Sequence, residues 1–147
     1  MTTALTLADL TRRTGFDVLG HLEREVTIPV TGGLQAQGDL MVVPLAELPG
    51  VGIGTGAYWR EVPPAGIEVL RSAAGGNPHT LVADPGTGRW TISVVDRAGL
   101  ALGALTTTGV AYLIHPEHGA SGIAPGGYVI RRQRERGDRT ASRLVAD

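Results

Sequence analysis

The chain has 147 residues, a formal net charge of −1, 42% hydrophobic and 18% charged residues, and no cysteine. That is enough for one domain with a real core and too little for two ordinary ones. The missing cysteine excludes thiol catalysis, disulfides and zinc–thiolate sites, and the near-neutral charge gives no global pull toward nucleic acid or anionic membrane.

Glycine and proline number 22 and 9, about a fifth of the chain against an average of roughly 12%. They follow no collagen period and punctuate short apolar runs, the pattern of a turn-rich β domain. The start, MTTALTLADLTRRTG, lacks the basic leader and apolar run of a secretory signal. No apolar run approaches the ~20 residues that span a bilayer, so a soluble, cytoplasmic protein is the expectation.

In chain order, Thr6-Leu7-Ala8-Asp9 reads as a capping box with Asp in the place of the usual Glu or Gln. A short helix to about Arg13 follows, ended by Gly15. Residues 16 to 25 do not decide between helix and irregular chain, because Gly20 weakens a helix. From Val26 the signals become β. Val26 to Val30 alternates, and Asp39 to Pro44 is a nearly continuous apolar strand with its proline at the end or on an edge. Residues 45 to 57 are glycine-rich and read as loop. Ile67 to Arg71 alternates apolar and charged residues like a half-buried strand.

Next, Gly75-Gly76-Asn77-Pro78 breaks the chain before a strand from His79 to Ala83. Asp84-Pro85-Gly86-Thr87-Gly88 carries the strongest hairpin signal, with Arg89 to Val95 as the expected partner strand. Residues 100 to 108, Val110 to His115 and Gly127 to Arg132 complete the pattern, the last two joined by a turn of about a dozen residues. About eight short strands at roughly 10-residue spacing, with no helices between them, predict an all-β fold. The expected form is an antiparallel β-sandwich or small barrel of residues 26–147, preceded by a short helical docking segment of residues 1–25.

The densest chemistry is His115-Pro116-Glu117-His118 at the tip of one strand, with His79 at the start of another. Imidazole is a good ligand for zinc and other transition metals, and a neighbouring carboxylate can ligate or orient it. If the strand ends share one side of the fold, His79, His115, Glu117 and His118 could hold an ion and activate water. The competing reading is a polar turn in which Glu117 and His118 bond backbone amides and Gly119 takes a positive φ. Pro116 rules out the helical H-E-x-x-H geometry.

Gly52 to Gly56 lacks the following helix and the lysine that phosphate loops need. None of the four serines sits in a nucleophile elbow. Arg132, Arg134 and Arg136 would share one face of an extended strand. Without interleaved aromatics, and diluted by Glu135 and Asp138, that row suits a charged edge or a protein contact better than nucleic acid.

Taken together, Gln37-Gly38-Asp39, Gly75-Gly76-Asn77-Pro78-His79, His115-Pro116-Glu117-His118-Gly119, Pro125-Gly126-Gly127-Tyr128 and Arg132-Gln133-Arg134-Glu135 form an ordered set. The set resembles a loose group of small, uncharacterised bacterial β-rich proteins marked by Gly-His-x-His, His-x-Glu-His and Gln-Arg-Glu, over roughly residues 37 to 147. The resemblance implies no activity. The first motif departs from the pattern, since Asn77 stands where a histidine is expected, and asparagine replaces imidazole poorly toward zinc.

The expectation is therefore a non-enzymatic structural or adaptor module, without a cofactor, that assembles with itself or another protein. The alternative is a metal-dependent enzyme or sensor built on the His/Glu cluster, with zinc as the natural ion.

Overall fold

The computed structural model describes residues 5–16, 18, 27–71 and 77–133. One helix, α1 (Leu7–Thr14), precedes the strands β1 (Val30–Thr31), β2 (Gln35–Gln37), β3 (Leu40–Pro44), β4 (Val51–Ile53), β5 (Arg60–Glu61) and β6 (Ile67–Arg71). There follow β7 (Pro78–Ala83), β8 (Gly88–Thr91), β9 (Val94–Asp96), β10 (Ala101–Thr107), β11 (Ala111–His115), β12 (Gly119–Ile123) and β13 (Gly126–Arg132). Arg134, Arg136, Gly75, Gly76, most of residues 16 to 25 and the terminal Leu144 to Asp147 lie outside the described residues.

Two sheets form a sandwich, not a closed barrel. A five-stranded sheet has the order β1-β12-β11-β7-β6, and a six-stranded sheet the order β2-β3-β13-β10-β8-β5. A two-stranded ribbon of β4 and β9 stands beside them. Pairing is antiparallel except between β1 and β12. Period-two alternation sends Leu40, Val42, Tyr128 and Ile130 of one sheet against Leu81, Leu113 and Ile123 of the other, closing a core around Trp90 and Leu105.

The five-stranded sheet is covered on its outer face as well. Val82, Tyr112 and Ile114 pack against Leu7 and Leu10 of α1 and against Ile28. A strand buried on both faces needs no polar alternation, which is why Ala111 to His115 is buried at every residue. The capping box forms as expected: the Thr6 hydroxyl accepts from the Asp9 amide at 3.0 Å, and the Asp9 carboxylate accepts from the Thr6 amide at 3.1 Å. Bonds from the Thr6 amide, set against some burial, hold the Asp9 carboxyl below the usual carboxylate range. Through Leu7 and Leu10, α1 is thus seated on the protein's own sheet.

Three expectations are corrected. The turn at Asp84 to Gly88 exists, with the Thr87 amide donating to the Asp84 carbonyl at 3.1 Å. It joins two sheets instead of two paired strands: β7 lies in the five-stranded sheet and β8 in the six-stranded one. The supposed long turn after His115 contains β12, which pairs back onto β11 through a three-residue turn. The glycine-rich stretch after Leu45 contains β4, held by β9. In each case the partner strand, which local sequence does not reveal, decides the outcome.

Candidate functional site

His79 and His115 reach the same place because of strand period and register. His79 precedes Leu81 by two residues and His115 follows Leu113 by two, so both side chains share the inward face with those core leucines. Leu113 pairs with Leu81 and Ile114 with Thr80, and the next step along this register sets His115 opposite His79. Their ring centroids are 4.3 Å apart, and both residues are almost fully buried. The histidines therefore close one end of the inter-sheet core.

The opposite sheet answers with polar groups. The hairpin of β2 and β3 turns on Gly38 and Asp39, with Gly38 at φ 57° in the left-handed region that a two-residue hairpin requires. This turn drives Gln37 and Asp39 inward, and each is only 5% exposed. The Gln37 amide nitrogen donates to the Leu113 carbonyl at 2.8 Å and to the Ser121 hydroxyl at 3.2 Å. That fixes the amide so that its oxygen faces His79 Nδ1 at 3.0 Å, and Nδ1 is the donor. His79 Nε2 stands 3.0 Å from an Asp39 carboxylate oxygen, a contact that requires one proton between the two atoms. Both ring nitrogens of His79 are thus engaged across the sandwich.

His115 behaves differently. Its Nδ1 accepts the backbone amides of Glu117 at 3.0 Å and His118 at 3.3 Å, tying down the turn between β11 and β12. An imidazole that accepts at Nδ1 carries its proton on Nε2. Gly119 has φ 80°, as the polar-turn reading expects, but the side chain that holds the amides is His115. Glu117 is exposed and accepts from the Asn77 side chain at 3.0 Å. Asn77 thus joins the two motif segments directly. His118 lies at the surface with its ring centroid 4.6 Å from that of His115 and 6.2 Å from that of His79.

The three histidines therefore converge, but as neighbouring rings whose faces lean on one another. Among the described residues, no three His, Asp or Glu side chains are placed to hold a metal ion. Of the arginine row, Arg132 is half-buried on β13, and Arg134 and Arg136 lie outside the described residues. Sequence reasoning missed Gln37, Asp39 and Ser121 as members of the cluster. Asp39 reads as the start of an apolar strand, and nothing local says that Gln37 and Asp39 face the core. Among the described residues no helix is long and apolar enough to cross a membrane.

Fold and cluster define an antiparallel β-sandwich whose two sheets are tied at one end by a buried Gln–His–Asp network. The chain belongs to the family described as Domain of unknown function (DUF8820), whose model matches residues 36–133. That span contains every member of the network and leaves α1 outside. No curated protein matches the chain, and no solved structure does.

Proposed function

We propose that this chain is a non-enzymatic β-sandwich module that associates with a second copy of itself. The observation that carries the reading is a group of large apolar side chains facing solvent at one end of the six-stranded sheet. Tyr58 is 79% exposed, Ile92 78% and Val95 65%. Arg60 pairs with Trp90 and Glu61 with Arg89, and Tyr58 and Ile92 lie just beyond the ends of these two paired strands, β5 and β8. Val95 is on the ribbon strand β9, three residues after Ile92 in the chain. Exposed aromatic and β-branched side chains are the chemistry of a protein contact.

His79 supports the non-enzymatic part. A catalytic imidazole needs a nitrogen that can reach a reacting group, whereas His79 spends both on Gln37 and Asp39. In this reading the network is a latch between sheets. The test is light scattering of the full chain over a range of concentrations, beside a variant carrying Tyr58→Ser and Ile92→Ser. The wild type is expected to exceed 15.3 kDa as concentration rises, and the variant to stay at that mass. A wild type that remains at the monomer mass throughout contradicts the proposal.

A further inference from the structure

A cleft of about 160 Å³ lies between the end of α1 and the outer face of the five-stranded sheet. Leu5 and Leu10 form its helix side, and Val82 and Tyr112, paired across β7 and β11, form its floor. Arg13 and Asp84 stand at the rim, joined by an ion pair of 2.5 Å. Both rim side chains are more than half exposed, and exposed pairs of this kind hold weakly. Burial pushes the Tyr112 hydroxyl above the usual phenol range, with Arg13 opposing the effect and Asp84 adding to it.

We propose that this cleft binds a small uncharged molecule: an apolar ring presenting one hydroxyl or carbonyl oxygen. The volume is about that of a single aromatic ring's site, and the cleft is half open, lined by both apolar and polar groups. An apolar pocket with a few converging polar groups is the usual form of a small-molecule site. The polar groups decide the ligand's chemistry. Tyr112 and the Arg13 guanidinium both offer donors to an incoming oxygen, while Asp84 neutralises the arginine and removes the advantage of a charged carboxylate ligand. The site is independent of the Tyr58 surface and of the histidine network.

The experiment is an amide NMR titration of the full chain with phenol, benzene and benzoate. Phenol is expected to give saturable shifts at Leu10 to Thr14, Val82 to Asp84 and Tyr112, with benzoate at least about tenfold weaker. Tyr112→Phe should weaken phenol binding about fivefold, the loss of one hydrogen bond, and leave benzene unchanged. Val82→Phe should fill the cleft and abolish both. If Val82→Phe does not fold, the phenol-to-benzene contrast in Tyr112→Phe decides alone. Shifts scattered away from the cleft, no saturation, or equal loss for phenol and benzene in Tyr112→Phe overturn the proposal.

Discussion

Asp39 and His79 meet across the sandwich at 3.0 Å, two almost fully buried groups. Placing such a pair out of water is costly, and removing one member leaves the other desolvated without its counter-group. Asp39→Ala is therefore expected to lose about 3 kcal/mol of stability in urea unfolding, far more than an exposed carboxylate would. Asp96 makes a different contribution. Burial alone would raise its carboxyl, but the amides of Ala101, Ala98 and Leu100, aided by Arg131, hold it below the usual carboxylate range. A carboxyl depressed in the folded state stabilises above its unfolded value, and the gain is lost as pH falls through the folded one. Asp96→Asn should therefore destabilise the protein at neutral pH, and the gap to wild type should close in acid. Melting curves at a series of pH values check this.

At the scale of elements, the helix and the central strands were legible because their causes are local. Thr6, Asp9 and Gly15 delimit α1, and the apolar runs ending at Ala83 and His115 mark β7 and β11. The strand β12, Gly119–Ile123, was not legible, because its five residues include two glycines and one serine and gain their pairing only from β1 and β11. The turn at Asp84 was legible as a turn but not as a corner between sheets. Two substitutions test the packing of elements. Gly103 lies under the Trp90 indole, where an added Cβ would come within 2.3 Å of the ring and 2.6 Å of the Thr91 carbonyl. Gly103→Ala should destabilise by about 2 kcal/mol or more through overpacking, read from the unfolding midpoint. Leu10→Ala empties the contact between α1 and the sheet and should cost about 2–3 kcal/mol. A much smaller loss would mean that the helix contributes little to the fold.

For the molecule as a whole, the fold class followed from turn density and alternation, and the cluster was half legible. Sequence puts His79 and His115 at strand ends and leaves their convergence open; the structure sets both on the core face, two residues from Leu81 and Leu113. What sequence could not supply was the opposite sheet. Whether imidazoles at strand ends meet a metal, a substrate or a buried carboxylate depends on what faces them, and here Gln37 and Asp39 do. An inter-sheet latch requires Asp39 and His79 to be coupled in stability. Its most direct test is a double-mutant cycle of Asp39→Asn and His79→Gln, followed by urea unfolding in buffer containing a chelator. The latch predicts a favourable coupling of about 1.5 kcal/mol or more that persists with the chelator present. Losses that add within about 0.5 kcal/mol, or a coupling that vanishes when metal is stripped, would contradict it.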